Sequence, residues 1–337
     1  MSVPGPRRRS ARGTLARHHL RASAALVLVS LAASSVAAGV AVSGWPASAP
    51  AMATSSTSTT STAPPVPAAL PPGTAPWTVV SSDYAGVAVE TQSVTAPSGR
   101  PVTLLRFDAG HVVFDIHVGS TDPPADLATI RADRGPALAA DELGTLVAAF
   151  NGGFKMNAHQ GGVEVDGQVV APLVPGEASL VIDADGAAHI GVWGQDLPTP
   201  GEQVESVRQN QPPLIEHGVI APTASVPADW GLTIGGAEAV PRSAAGEDAR
   251  GDIIYAAGMD LVPADLASVL QGAGALEAMQ LDINPEWVQA VTAAAPGTPL
   301  STAIPGQNRP AGQYVAGWSR DFFAVLALTK VDPKRPR

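Results

Sequence analysis

Residues 148–170 read AAFNGGFKMNAHQGGVEVDGQVV, and the expected fold is built outward from them. An apolar run over 145–150 stops at Asn151-Gly152-Gly153, polar side chains follow, and an alternating segment then turns at Asp166-Gly167. Glycines at a strand end permit positive φ and let a ligand or another backbone come close. The stretch predicts a buried strand and a hairpin, with either a tight turn or one wall of a binding site between them.

Short β-branched runs separated by Gly, Pro, Ser and Asp predict further strands on both sides. They cover 77–81, 86–94, 102–107, 111–118, 179–183, 189–193, 237–247, 253–257, 277–281 and 321–329. A helix is predicted from Pro263 to about Gly274, where proline suits the first turn and apolar residues recur at i, i+3, i+4 and i+7. Shorter helices are predicted at 125–131 and 137–143. The predicted fold class is therefore α+β, a single domain with a mixed, mostly antiparallel β-sheet core and few helices.

The first 53 residues are predicted to be a signal peptide or an N-terminal membrane anchor. A basic leader is followed by an apolar run from Ala22 to about Val42, and small-x-small sites occur at 47–49 and 51–53. This is the layout of an export signal. The apolar run is also long enough to span a bilayer, so a retained anchor is the alternative to cleavage.

The rest of the chain is expected to be an acidic, exported body. Residues 54–76, rich in Ser, Thr, Pro and Ala, predict a disordered linker, the folded domain is expected over 77–331, and 332–337 form a tail. The chain has 20 Lys and Arg against 30 Asp and Glu, and no acid precedes Asp83. A body this acidic argues against nucleic acid as a partner, and leaves the apolar N-terminal run as the one candidate membrane tether.

The first candidate group for chemistry follows the central strand and comprises Asn151, Gly152, Gly153 and Lys155. Amides, a lysine and glycine backbone N–H groups suit an oxyanion. The alternative is a turn capped by Asn151 with a solvated Lys155. His159 lies in the same stretch and is given no role.

Three arginines add candidate ligands for phosphate or sugar. Arg208 and Asn210 are placed after a predicted strand, where the alternative is an ordinary polar loop. Arg242 lies among apolar neighbours and must find an anion or a carboxylate partner, because guanidinium binds phosphate oxygens in bidentate fashion and is rarely buried alone. Arg320 precedes the last predicted strand, where the alternative is a local ion pair with Asp321.

The acidic strand end offers candidates for catalysis. Asp282 and Glu286 lie four residues apart, beside Asn284 and Trp287. A carboxylate near a glycosidic bond can act as nucleophile, base or acid, and an indole gives a sugar ring a stacking face. The alternative is a turn at 284–285 with Glu286 starting a helix.

Several signatures of other enzyme classes are missing from the sequence. It has no G-x-S-x-G elbow, P-loop, H-E-x-x-H motif or dinucleotide-binding glycine fingerprint. It has no cysteine, which excludes disulfides and thiolate metal sites. No cofactor and no metal ligand is predicted, although Asp, Asn and backbone oxygens leave a divalent cation open.

Taken together, these motifs resemble the phosphodiester glycosidase domain family, whose type enzyme removes N-acetylglucosamine from a phosphodiester linkage to mannose and which occurs widely in exported bacterial proteins. The resemblance spans about residues 140–329. It is carried by Asn151-Gly152-Gly153-Phe154 through Gly162 to Asp166-Gly167, by Arg242-Ser243-Ala244-Ala245-Gly246, and by the helix over 263–274 followed by Glu277-Ala278-Met279-Gln280-Leu281-Asp282. Typical members continue after that aspartate with Asp-Gly-Gly-Gly-Ser, whereas this chain reads Asp282-Ile283-Asn284-Pro285-Glu286-Trp287.

The resemblance implies an exported hydrolase that cleaves a glycosyl-phosphate phosphodiester of envelope or extracellular glycans at the anomeric C–O bond. The roles expected from it are a phosphate contact for Arg242 and Lys155, a carboxylate at the oxocarbenium-like centre for Asp282 and then Glu286, and hydroxyl or phosphate contacts for Asn151 and Asn210. Two alternatives stay open. One is a non-catalytic protein that binds glycan or cell-wall polymer, and the other is an ordinary glycosidase that uses Asp282 and Glu286 as its pair.

Overall fold

The computed structural model describes residues 75–328, apart from 84, 125–129, 131, 160 and 232, and strands dominate this part of the chain. In chain order the strands are β1 (Thr78–Ser82), β2 (Val87–Thr95), β3 (Pro101–Phe107), β4 (Val112–His117), β5 (Leu146–Asn151), β6 (Val163–Val165), β7 (Gln168–Ala171), β8 (Ala178–Asp183), β9 (Ala188–Val192), β10 (Val204–Gln209), β11 (Ile215–Glu216), β12 (Val219–Ile220), β13 (Val240–Asp248), β14 (Ile253–Leu261), β15 (Ala275–Ile283), β16 (Ala290–Ala293), β17 (Leu300–Thr302) and β18 (Phe322–Ala327). The α-helices are α1 (Pro263–Ala273) and α2 (Gln313–Ala316), and 3-10 helices cover Ala132–Arg134, Glu142–Gly144, Pro222–Ser225, Pro227–Trp230 and Ile234–Gly236.

Three sheets contain these strands, and their paired strands run antiparallel. The orders are β1-β2-β3-β14-β13-β15-β11-β12, β7-β6-β10-β8-β9, and β17-β16-β5-β18-β4. The three predicted hairpins, β6–β7, β8–β9 and β13–β14, are all present. The predicted α+β class with a mostly antiparallel core and few helices is confirmed.

The core lies between the sheets and is centred on Phe150, the residue before the glycine turn. Its ring stacks on Phe107 of β3 at 5.6 Å, and lies 4.9 Å from the ring of Tyr255 in β14 and 5.2 Å from that of Phe323 in β18. Each of these rings removes a large apolar area from water. Phe150 therefore fixes the end of β5 relative to two sheets.

Helix α1 covers the opposite face of the eight-stranded sheet, as the apolar spacing predicted. Pro263 opens it, the Asp265 carboxylate accepts the Val262 N–H at 3.1 Å, and Gly274 ends it with φ +106°. A left-handed residue after the last turn is where glycine has an advantage over other residues. The buried side chains of Leu266 and Leu270 then pack on this face of the sheet.

The helix predicted over 137–143 is wrong, because only a 3-10 turn over Glu142–Gly144 forms there. The Glu142 carboxylate accepts the Ala139 N–H at 2.6 Å, and the Leu138 N–H donates to the Tyr314 carbonyl. The Gly144 and Thr145 N–H groups donate to the carbonyls of Asp141 and Glu142, three residues back, so the segment forms a single 3-10 turn before β5 begins. Of the helix predicted over 125–131, only Ile130 is described.

The predicted leader, linker and tail lie outside the described residues, so the domain boundaries stay predictions. Within residues 75–328 as described, no helix is both long enough and apolar enough to cross a bilayer.

Strand ends from all three sheets converge beyond Phe150. Asn151 at the end of β5 is paired with Phe322 at the start of β18. Arg242 near the start of β13 is paired with Ile283 at the end of β15. These ends carry most of the polar residues that the sequence singled out.

Candidate active site

Asn151 ties together four segments of the chain. Its Nδ2 donates to the Ser243 hydroxyl at 2.9 Å and to the Gly152 carbonyl, and its Oδ1 accepts the Tyr255 hydroxyl at 2.9 Å and the Gln289 N–H at 3.3 Å. An amide has two donors and two acceptor positions, and all four are used within the protein. Asn151 was predicted to contact substrate, but the geometry makes it a link between strand ends.

Gly152 and Gly153 are required because two buried side chains press against their backbone. A Cβ at Gly152 would overlap the Asp321 carboxylate, and one at Gly153 would lie 2.8 Å from the Arg208 guanidinium carbon. The Gly153 N–H also donates to Asp321 Oδ2 at 3.2 Å. The close approach expected of these glycines is real, and the approaching groups include an ion pair of the protein itself.

That ion pair joins β10 to the start of β18. Arg208 Nε donates to Asp321 Oδ2 at 2.6 Å, and its other two nitrogens donate to the carbonyls of Gln209 and Phe154, each at 2.6 Å. Both side chains are fully buried. Arg208 is therefore engaged within the protein, whereas Asp321 Oδ1 is buried with no hydrogen-bond partner.

A second buried ion pair, between Asp282 and Arg320, lies at the end of β15. Asp282 Oδ2 accepts from Arg320 Nη2 at 2.9 Å, and Oδ1 accepts the Ile283 N–H at 2.8 Å. Burial raises the pKa of Asp282 to about 7, while Arg320 and the Ile283 N–H act in the opposite direction. Asp282 is therefore a carboxyl group that exchanges its proton near neutral pH.

Arg320 is the one arginine of this group with unused donors on two nitrogens. Its Nη2 also donates to the Gly153 carbonyl at 2.7 Å, but Nε and Nη1 are buried and have no partner in the described residues. The guanidinium carbon lies 5.0 Å from the centroid of the Trp287 ring, and Lys155 Nζ lies 4.5 Å from it. The predicted Lys155, Trp287 and Arg320 are thus brought together, with both cations close to the indole ring.

Arg242 does not have the open geometry predicted for a phosphate ligand. Nε donates to the Leu261 carbonyl and Nη1 to the Trp230 carbonyl and Gln280 Oε1, each at 3.0 Å, and Nη2 donates to the Glu238 carbonyl at 3.2 Å. Burial lowers the pKa of Arg242 to about 10, so it stays charged at neutral pH. Its partners are all neutral, and its charge is therefore left uncompensated at the strand ends.

Asn210 is likewise internal. Its Oδ1 accepts the Phe154 N–H at 3.0 Å, and its Nδ2 donates to the carbonyls of Gln280 and Leu281 at 2.7 and 3.0 Å. It connects the glycine turn to β15, and the predicted contact with substrate hydroxyls finds no support in this geometry.

Glu286 is not joined to Asp282 by any contact among the described residues. Its carboxylate pairs with Arg309 at 2.6 Å and accepts from Asn308 Nδ2 at 2.8 Å, and the side chain is 44% exposed. Asn284 is nearly buried and takes φ +76°. Asp282 thus lies in the buried network and Glu286 at the surface, so the two carboxylates that the sequence suggested as a pair are apart.

The buried part of the site carries more positive than negative charge. Three guanidinium groups, of Arg208, Arg242 and Arg320, are set against the two carboxylates Asp282 and Asp321, all at most 5% exposed. Since the pKa of Asp282 is about 7, part of the negative charge is also absent at neutral pH. Such a site favours an anionic ligand.

Two clefts in the described surface lie away from these groups. A cleft of about 530 Å³ is lined by residues such as Leu143 and Val315, and one of about 240 Å³ by residues such as Phe114 and His189. Neither includes Asp282, Arg320 or Trp287. The half-buried Trp287 ring lies beside the Arg320 guanidinium instead.

Comparison with known proteins covers part of this region. Residues 144–282 match the family model described as phosphodiester glycosidase. The resemblance to the phosphodiester glycosidase family is confirmed. The match supports a hydrolase-type enzyme, and the matched segment runs from Gly144, two residues before β5, to Asp282.

Solved structures with a similar chain path include the catalytic domain of zebrafish N-acetylglucosamine-1-phosphodiester alpha-N-acetylglucosaminidase, auto-inhibited by its pro-peptide. It has 15% sequence identity and a TM-score of 0.45, covering 74% of this chain and 87% of that one. A hypothetical protein from Synechocystis has 14% identity and a TM-score of 0.41, covering 72% of this chain and 62% of that one. Comparison with the curated proteins gives no match.

The phosphodiester glycosidase match ends where the sequence leaves the family's glycine-rich pattern. Asn284 there keeps a left-handed backbone, a conformation that favours glycine and that Asn tolerates better than most residues. Its N–H donates to the Pro241 carbonyl at 2.8 Å. The segment after Asp282 thus has a glycine-type backbone at one position, but it adds the bulk of Trp287 above Arg320.

Sequence reasoning missed Asp321, Ser243, Tyr255, Gln280 and Gln289 as members of this network. Asp321 was considered only as a local partner of Arg320, and the structure pairs it with Arg208 instead. Tyr255 and Gln289 are single polar residues in otherwise apolar runs, whereas Ser243 and Gln280 lie close in sequence to charged residues of the predicted site. Since buried polar groups need partners, such residues are the signal that could have been followed.

One group among the described residues could hold a metal ion, and it is separate from these strand ends in its contacts. Asp196, Glu216 and His217 place ligand atoms within 4.8 Å of one another. His217 also pairs with Glu277 at 3.0 Å, and it is 68% exposed. Solvated acidic groups adopt such arrangements without a metal, and no ion is assigned here.

Proposed function

We propose that this protein is an exported hydrolase that cleaves glycosyl-phosphate phosphodiesters of envelope or extracellular glycans. The family match supports the reaction class. The observation that carries the finer assignment is the pairing of Asp282, a carboxyl group with a pKa of about 7, with Arg320, whose Nε and Nη1 have no partner. A phosphodiester needs donors for its oxygens, and its sugar needs a carboxylate beside the anomeric carbon.

Arg320 is assigned to the phosphate in place of Arg242. Its unpartnered nitrogens carry N–H groups in a buried setting, where charge-assisted hydrogen bonds are strongest. Arg242 acts at longer range, because its uncompensated charge makes the same region attractive to an anion. Trp287 offers its indole to the sugar ring and Lys155 adds a cation at the edge, and both must move for a substrate to reach Arg320.

Asp282 is assigned to the water that attacks the anomeric carbon. As the bond from that carbon to the phosphate oxygen breaks, its electron pair goes to the phosphate, which leaves as a phosphomonoester. The water oxygen bonds to the anomeric carbon, and its proton passes to ionised Asp282. Developing negative charge on the leaving phosphate is then stabilised by Arg320.

Export and placement outside the cytoplasm are proposed from the sequence of the leader. Its arginine-rich start, apolar run and small-x-small sites support secretion or a tether at the N-terminus. Fractionation of cells that express the full chain tests this, since recovery in the cytoplasm with the leader intact would reject it.

Phosphomonoester release from a panel of glycosyl phosphodiesters by the purified full chain tests the reaction. Asp282→Asn should abolish release while the far-UV circular dichroism spectrum stays unchanged, and Glu286→Gln is the matched control at a carboxylate outside the network. Equal activity of the Asp282 variant and the natural protein would reject the assignment. Binding of a glycan polymer without any release would favour the non-catalytic alternative, which the bulk of Trp287 motivates.

The ordinary glycosidase with an Asp282–Glu286 pair receives no support from the geometry. Such a mechanism needs two carboxyl groups facing one scissile bond. Glu286 instead is held by Arg309 and Asn308 at the surface.

A further inference from the structure

Gln289 is a buried residue whose side-chain amide lies beside the Tyr314 hydroxyl, and among the described residues neither of its polar atoms forms a hydrogen bond of normal length and angle. It precedes β16 and it is 0% exposed. Buried polar atoms without a partner are uncommon in native proteins and are destabilising, so each one calls for an explanation. The usual explanation is a ligand or an enclosed water molecule that forms the missing hydrogen bonds.

Two further unpartnered groups belong to the same corner of the fold. Asp321 Oδ1 is buried without a partner, and so are Nε and Nη1 of Arg320. The backbone places them around one strand end, because Asn151 N–H donates to the Gln289 carbonyl and Gly152 N–H donates to the Asp321 carbonyl. Three residues, each at least nine-tenths buried, thus have unused polar atoms where β5 ends.

The chemistry of these atoms divides them into two kinds. Arg320 only donates, which suits the oxygens of a phosphodiester anion. Ionised Asp321 only accepts, so Oδ1 would repel that anion and needs an O–H or N–H donor. The Gln289 amide both donates and accepts, which matches a hydroxyl group. A phosphodiester monoanion has no such donor, whereas the sugar attached to it has several.

We infer that Gln289 and Asp321 form a subsite that selects the hydroxyl-bearing sugar of the substrate, next to the phosphate contact at Arg320. The inference rests on the proposed glycosyl-phosphodiester function and adds the residues that determine specificity for the sugar. Gln289 is a binding residue and takes no part in proton transfer. Gln289 lies beyond residue 282, outside the segment matched by the family model.

Gln289→Met is the informative variant, because Met has similar volume and no strong hydrogen-bonding atom. Asp321→Asn would also disturb the ion pair with Arg208, so it is the weaker choice. Gln92→Met is the matched control, since Gln92 is a buried glutamine in β2 with an unpartnered Oε1 of its own. If the Gln289 amide serves only a ligand, its removal should leave the ligand-free melting temperature unchanged or raise it.

The experiment compares melting temperatures of the full-length proteins with inorganic phosphate and, separately, with glucose, galactose, mannose and N-acetylglucosamine. At least one sugar should stabilise the natural protein and the Gln92→Met control but not Gln289→Met, while phosphate should stabilise all three. With a cleavable glycosyl methyl phosphate, Gln289→Met should raise KM about tenfold with a smaller change in kcat. No response to any of the sugars, or an equal response in Gln289→Met, would overturn the subsite.

The two proposals fail in different ways. A Gln289-dependent sugar response without phosphomonoester release would reject the hydrolase and leave the subsite standing. Release with an unchanged KM in Gln289→Met would do the reverse, and would identify the unpartnered amide as a site for enclosed water.

Discussion

Arg320 and Arg134 are both buried arginines, but their surroundings carry opposite charge. Arg134 has four carboxylates within 4.0 Å, those of Asp115, Glu142, Asp166 and Asp133, and all three of its nitrogens contact them. Arg320 has one carboxylate, Asp282, and two nitrogens without a partner. In the first arrangement every nitrogen of the guanidinium contacts a carboxylate, and these ion pairs hold the fold together. The second leaves donors unused at the meeting point of three sheets, as expected where a ligand completes the set.

The first prediction concerns the free energy of unfolding when Arg134 is replaced. Arg134→Met removes the guanidinium that these carboxylates share, and breaking a buried ion pair in this way costs about 3–5 kcal/mol. Urea unfolding at pH 7 should show a loss of that size. Burial raises the pKa of Asp115 to about 6. Because this group is protonated below that pH and charged above it, the loss should be smaller at pH 5 than at pH 7.

Arg250→Met provides the control for that measurement. Arg250 pairs with Asp248 and Asp252, but its side chain is 59% exposed. Exposed ion pairs contribute about 0–1 kcal/mol. A loss in Arg134→Met no larger than in Arg250→Met would mean that the Arg134 cluster does not stabilise the fold.

The second prediction concerns activity at Arg320. Arg320→Met should lower kcat/KM for a glycosyl phosphodiester by about 10²–10³-fold, or about 2.7–4 kcal/mol, since preorganised donors to a developing negative charge are worth this much. Arg320→Lys keeps the charge without the planar donor set and should recover only part of the rate. If the Met variant kept most of the rate, the unpartnered nitrogens would have no part in turnover.

Asp282 gives the third prediction, through pH. Burial raises its pKa to about 7, so the ionised form that accepts a proton from water declines below that pH. The rate should fall about tenfold, equivalent to about 1.4 kcal/mol, for each pH unit below 7. A rate that rises on acidification instead would assign Asp282 as a general acid.

The raised pKa of Asp282 also determines how the free energy of unfolding changes with pH. The folded-state pKa lies above the ordinary value of 3.8, so the folded protein binds more protons than the unfolded chain between these values. The contribution of Asp282 to stability is therefore present below that window and lost as pH rises through about 7. Asp282→Asn should remove this part of the slope in urea unfolding measured from pH 4 to pH 8.

The smallest expected effect is at Lys155. Its contact with the Trp287 ring is partly exposed, and cation–π contacts of this kind contribute about 0.5–1 kcal/mol. Lys155→Met should raise KM about two- to fivefold with little change in kcat. Arg100→Met, at an exposed ion pair with Asp260, is the control and should leave KM unchanged.

Much of the fold could be predicted because its strands carry local signals. Runs such as 102–107 and 111–118 combine β-branched residues with turn residues on both sides, and α1 has a proline start, an apolar stripe and a glycine end. β16 and β17 were missed, because Ala290–Ala293 and Leu300–Thr302 are short and lie in a segment rich in Ala, Thr, Pro and Gly. The sequence predicted a helix where the structure has one 3-10 turn over Glu142–Gly144, since propensity does not reveal that the chain enters β5 two residues later.

The site was predicted as a set of residues more successfully than as a set of roles. Asn151, Arg208, Arg242, Asp282 and Arg320 do converge. Whether an arginine keeps unused donors depends on carbonyls such as those of Leu261 and Trp230. These reach Arg242 across sequence distances that no local pattern encodes. The same limit explains why the pairing of Asp321 with Arg208 was not predicted.

The place of β18 in its sheet has a consequence for how the protein is made. β18 is the last strand described, yet it lies between β4 and β5, and it is preceded directly by Arg320 and Asp321. Until it inserts, β4 and β5 each have an edge of unpaired backbone groups, which invites pairing with other chains. Such late, long-range pairing is also slow to form. The complete five-stranded sheet and the ion pairs of Arg320 and Asp321 therefore form together, after nearly all of the described chain has been synthesised. A nascent chain that ends before β18 lacks the complete sheet and these ion pairs.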